Sequence, residues 1–103
     1  MTRDEFGALR TAFNDDCEAA LMAKGPEYTR GTDCLENFKR VGGALGVSPL
    51  VAWALFANKH FDAILSYVRT GKVHSEPIQG RFADLRNYLD LGLALVKEQE
   101  RSP

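Results

Sequence analysis

Between Glu76 and Glu98 the apolar residues recur with helical spacing, and that segment constrains the chain most. Phe82, Leu85, Leu89, Leu93 and Val96 make one stripe at 3.6 residues per turn. Asp84, Tyr88, Leu91 and Leu95 line up as a second. Together they give an apolar arc of roughly 200°, wider than one small monomer covers easily. Arg86, Asn87, Asp90 and Lys97 form the face expected to meet solvent. Asp84 lies on the edge of the apolar arc instead. A carboxylate turned toward a core needs a partner, a metal or a proton. The width of the arc predicts a homodimer or a larger helical assembly.

Punctuation divides the rest into three more helices. Thr2 with Glu5 three residues later reads as a capping box, followed by Phe6, Leu9, Phe13, Cys17, Ala20 and Leu21 at spacings of three and four. Gly25-Pro26 is the expected stop, and Glu27 to Thr32 a polar loop. Asp33 with Glu36 resembles a second capping box before a short helix with Leu35, Phe38 and Val41 on its apolar side. Gly42-Gly43 weakens that helix and Gly46 ends it. Ser48-Pro49 opens a third helix that runs through Leu55, Phe61, Ile64, Leu65 and Val68 to Gly71. After a short connection at 72–75, Ser75-Glu76-Pro77 opens the fourth, which continues to about Gln99. The reading is a single all-α domain over 1–103 with a frayed tail from about residue 100. The short connection makes helices three and four antiparallel neighbours.

With 13 basic and 14 acidic residues the formal charge is −1, so no basic field argues for nucleic acid or an anionic membrane. No apolar run approaches the roughly 20 residues of a membrane span, and no apolar stretch follows the N-terminus as a signal peptide requires. A cytoplasmic setting is expected, with Cys17 and Cys34 reduced and structural.

The polar residues that could carry chemistry fall in three places. They are Lys24, Glu27, Tyr28, Asp33 and Asn37; then Lys59, His60 and Asp62; then Glu76, Arg81, Asp84 and Asn87. Acidic residues converging from several helices of a bundle hold divalent metals, and Mg²⁺ adds the oxygens of a polyphosphate. Each also has a plainer role. Asp33 and Glu36 are explained by capping, and Glu76 and Lys24 by the helix dipole. Lys59 is read either as a structural bridge to Asp84 or as a phosphate ligand. His60 lacks partners at metal-ligand spacing, and Trp53 reads as core.

Taken in order, Lys24-Gly25-Pro26-Glu27-Tyr28, Asp33-x-Leu35-x-Asn37-Phe38, Lys59-His60, Glu76-Pro77-Ile78 and Arg81-x-x-Asp84-x-x-Asn87-Tyr88-Leu89 resemble small phage and prophage proteins of the nucleotide-modification-associated type. Those look like distant relatives of the all-α nucleoside triphosphate pyrophosphohydrolases, the MazG-like and dimeric dUTPase group. The resemblance runs from about Lys24 to Leu95. It implies a helical oligomer, a nucleotide ligand and the cytoplasm of a host cell. By position Asp84 matches the aspartate of that group's E-x-x-D motif, where Arg81 replaces the glutamate. No E-E-x-x-E is present, and Asp15-Asp16-x-Glu18 and Asp33-x-x-Glu36 are loose stand-ins. On this reading Asp84 and Glu76 are the catalytic candidates, and Asp84, Asp33 and Glu76 the Mg²⁺ candidates. Lys24, Tyr28, Asn37, Lys59, Arg81 and Asn87 would contact the nucleotide or its phosphates. Three functions remain open: a Mg²⁺-dependent pyrophosphohydrolase, a nucleotide binder without turnover, and a structural or interaction module whose polar residues fix helix register.

Overall fold

The computed structural model describes residues 1–28, 32–72 and 76–101, with the side chains of 24–28 excepted. Among the described residues four helices follow in order: α1 (Arg3–Tyr28), α2 (Glu36–Leu45), α3 (Pro49–Thr70) and α4 (Ile78–Arg101). The domain is all-α, as the sequence predicts.

Several ends form by the chemistry that marks them. Thr2 Oγ1 accepts from the Glu5 N–H at 3.1 Å, and Glu5 Oε2 accepts from the Thr2 N–H at 3.3 Å, closing the capping box of α1. Ser48 Oγ accepts from the Val51 N–H at 3.2 Å, with Pro49 in the first turn of α3. Gly46 and Gly71 end α2 and α3 in the left-handed region at φ 72° and 69°, where a side chain would be strained.

Two ends differ from expectation. α1 does not stop at Gly25-Pro26 but continues to Tyr28. Proline bars helix at the preceding residue partly through that residue's Cβ, and Gly25 has none. At α2, Asp33 does not cap the Glu36 N–H. Its Oδ1 accepts from Leu35 N–H at 2.9 Å, a turn that delays the helix to Glu36. The Ser75 cap expected for α4 lies outside the described residues.

α3 packs closely on α4 and also on α2, and α1 packs on α4. Trp53 meets Gly92 while His60 meets Asp84, so residue numbers rise along α3 as they fall along α4. The pair is therefore antiparallel, as its short connection requires. The core is Leu35, Phe38, Tyr88 and Leu95, flanked by Leu50, Trp53, Phe56 and Leu91. Phe38 sits edge-on to both Phe56 and Tyr88, with ring centroids 6.1 and 5.9 Å apart. Trp53 locks α3 to α4. Its Nε1–H donates to the Tyr88 carbonyl at 2.6 Å, and its ring occupies the space where a Cβ on Gly92 would stand, 2.4 Å from Cζ2.

The molecule measures 47 × 29 × 23 Å, with a radius of gyration of 15.5 Å, against about 13 Å for a chain of this length. The reason lies in which faces pack. On α4 the buried residues are Ala83, Asp84, Asn87, Tyr88, Gly92 and Leu95. Phe82, Leu89, Leu93 and Val96, of the first of the two apolar stripes, are exposed. On α1 only Cys17 is buried among the described side chains.

Candidate functional site

Polar side chains concentrate along the inner face of α4. Asp84 is buried, 7% exposed, on the side that meets α3. His60 of α3 brings Nδ1 to 3.9 Å from Asp84 Oδ2, and its ring lies 4.5 Å from that of Tyr88. A histidine placed this way becomes an ion-pair partner for the carboxylate when protonated. Of the two readings of Lys59, the bridge to Asp84 is not what forms: Lys59 is exposed, and the next residue along α3 faces the carboxylate instead.

One turn toward the start of α4, the Glu76 carboxylate lies over Gly80, its Cδ 3.7 Å from where a Cβ would stand. Glu76 Oε1 sits 3.3 Å from Arg81 Nε. Gly80 and Asp84 share a helix face at i and i+4, so the Glu76–Arg81 pair lies about one turn before the Asp84–His60 pair along α4.

Asn87 overturns its assignment to the solvated face. It is 9% exposed, and its Nδ2 donates to the Cys17 carbonyl of α1 at 2.9 Å. Beside it, Arg86 donates to Asn14 Oδ1, lies 3.9 Å from Cys17 Sγ, and holds its guanidinium 5.5 Å from the centre of the Phe13 ring. Gln79 donates to Asp16 at the start of α4. Burial pushes the Cys17 thiol above its ordinary value, with Arg86 pulling partly the other way.

A separate cluster lies at the far end of α4. Lys39 of α2 reaches Asp33 Oδ2 at 2.7 Å and Glu98 Oε1 at 2.5 Å. The hydrogen bond from Lys39, then that from the Leu35 N–H, holds the Asp33 carboxyl below its usual range. The same bond, followed by that to Glu98, raises Lys39. Glu98 is 14 residues beyond Asp84, or about 21 Å along the helix. Asp33 is therefore drawn to the opposite end of α4 and does not share a site with Asp84. Asn37 is buried on α2 and accepts from Arg40 Nη2 at 2.6 Å. The side chains of Lys24 and Tyr28 lie outside the described residues.

The nucleotide expectation thus divides. Glu76 and Arg81 pair about one turn before Asp84, which faces His60; Asp33 and Asn37 belong elsewhere, and Asn87 serves α1. Among the described residues no group of three or more His, Cys, Asp or Glu side chains is placed to hold a metal ion. No single helix among them is long and apolar enough to cross a membrane. Comparison with protein families, curated proteins and solved structures finds no match to this chain.

Two readable signals announced parts of this arrangement. Gly92 stands in the interior of a helix where alanine would be favoured by about 1 kcal/mol, the mark of a close approach. Trp53 carries an indole N–H that needs an acceptor once buried. No comparable signal marks His60 or Cys17, whose roles depend on which helices meet.

Proposed function

We propose that this chain is a helical interaction module without catalysis of its own. Asp84, His60 and Asn87 fix how α3 and α1 sit on α4, and the outward apolar stripe of α4 meets a protein partner. The observation that carries this reading is the inversion of α4, which buries Asp84 and Asn87 while Leu89 and Leu93 stand 57% and 58% exposed. Support also comes from the engagement of the polar residues. Asp84 faces His60, Asn87 holds Cys17, and Arg81 pairs with Glu76. Networks of this kind specify a unique packing when their members are satisfied.

The test is thermal denaturation of the wild type and Asp84→Asn across nucleoside mono-, di- and triphosphates, with and without Mg²⁺. The expected result is a lower Tm for the variant and a flat response to every ligand in both proteins. A ligand at 100 times its Kd adds about 2.7 kcal/mol of stability, which such a melt resolves. A magnesium-dependent rise in the wild type that vanishes in Asp84→Asn would overturn this reading in favour of a nucleotide site.

A further inference from the structure

The outward stripe of α4 has its own period. Phe82, Leu85, Leu89, Leu93 and Val96 are separated by 3, 4, 4 and 3 residues, a mean of 3.5. That spacing keeps a seam facing a second helix as the two wind around each other. At its N-terminal end the stripe opens into a groove of about 290 Å³ between α1 and α4, lined by Phe6, Leu9, Phe13, Ile78 and Phe82.

We infer that the occupant is a second copy of this chain, its α4 lying antiparallel on the first about a two-fold axis beside Tyr88 and Leu89. The inference rests on the interaction-module reading and names its partner.

Area is the first argument. The chain exposes 7341 Å², about 1,500 Å² more than the roughly 5,800 Å² of a monomeric protein of its mass. A standard interface removes about 800 Å² from each partner, well within that excess.

Charge is the second. Arg86, which also bonds Asn14 of α1, and Asp90 flank the stripe on the same side, one turn apart. An antiparallel pair centred at position 88 sets Arg86 opposite the partner's Asp90, and two-fold symmetry makes the pairing twice. A parallel pair in register would place each of them beside its own copy's level, with no such exchange. Phe82 then stands level with position 94 of the second copy, between Leu93 and Val96 of its stripe, which carries that stripe to the mouth of the α1 groove.

Solution mass by sedimentation equilibrium tests this, with helix content followed by circular dichroism. The wild type is expected at the mass of two chains. Leu89→Glu, at an exposed position, keeps its helix content and raises the dissociation constant about 100-fold or more. Asp90→Arg, which sets like charges face to face, weakens association about 10-fold. In a Cys34→Ser background, Leu89→Cys joins to its own mate through a short bis-maleimide. A wild type that stays monomeric at high micromolar concentration overturns the inference, as does a two-chain mass that Leu89→Glu leaves unchanged. Neither result touches the nucleotide panel, so the module reading then survives with a partner of another kind and fails only on its own test.

Discussion

The contact of α4 with α3 and its contact with α1 are built from different materials. Toward α3, α4 presents Tyr88, Gly92 and Leu95 to Trp53, Phe56 and Leu50. Toward α1 it presents Gln79, Arg86 and Asn87, which bond to Asp16, Asn14 and Cys17. Burial of apolar surface contributes about 25 cal/mol per Å², whereas a hydrogen bond exchanged with water nets about 1 kcal/mol. The first contact therefore supplies strength, and the second mainly supplies direction. A helix held by direction more than by area opens locally at a lower free energy than the core does. A partner that fills the groove beside Phe6 and Phe82 would add the apolar area that α1 lacks.

The sharpest way to break the strong side is Trp53→Ala. It removes the ring over Gly92 and the bond to the Tyr88 carbonyl, and should cost about 3 kcal/mol or more in urea denaturation. Gly92→Ala tests the same joint from the other helix. Propensity alone would make it stabilising by about 1 kcal/mol. A Cβ placed 2.4 Å from Trp53 Cζ2 must displace the indole, so a net loss of about 1–3 kcal/mol is expected instead. A stabilised variant would show that the ring is not held against the α4 backbone.

These same residues show what a sequence can and cannot disclose. Helix starts at Thr2 and Ser48 and ends at Gly46 and Gly71 were legible because each depends on neighbours within four residues. The antiparallel pairing of α3 and α4 followed from the short connection. What failed was the placing of Asn87. Periodicity identifies an apolar stripe but not what covers it, and here the stripe points outward while Asn87, assigned to solvent, is buried. Asn87 is tolerated inside because a carbonyl of α1, 70 residues away in sequence, lies in reach. Likewise the candidate carboxylates could be named but not located. Asp33 is drawn by Lys39 to Glu98, at the other end of the helix from Asp84.

The weaker side of the comparison has a built-in reporter. Cys17 is buried against α4, whereas Cys34 is exposed. In a Cys34→Ser protein, the rate of thiol modification at Cys17 reads the undocking of α1 directly. Asn87→Ala removes the side-chain donor from the Cys17 carbonyl, which keeps its bond within α1, at a cost of about 1–1.5 kcal/mol. The expected outcome is modification faster by about 10-fold, since 1.4 kcal/mol corresponds to a factor of ten. Amides of α3 should keep their protection from hydrogen exchange. If α3 and α1 lost protection together, the two contacts would form one cooperative unit and the contrast drawn above would fall.

The smallest effect belongs to the clip that joins α2 to the end of α4. The Asp33 carboxyl is depressed by Lys39, so its contribution is present above the ordinary carboxylate value of 3.8 and is lost as pH falls through the lower folded value. Lys39 is raised, so its contribution is present below its ordinary 10.5 and is lost only as pH rises through the higher folded value. Between those limits the clip is intact and nearly pH-independent. Both side chains are about 40% exposed, which screens the pair and keeps its effect small. Lys39→Met removes the cation while keeping much of the stem, and should flatten the share of the acid-side loss of stability that belongs to Asp33. Added salt should mimic the variant. The two proteins are compared by urea midpoints from pH 5 down to about pH 3, near the ordinary carboxylate range. Parallel curves would mean that Lys39 does not act on Asp33.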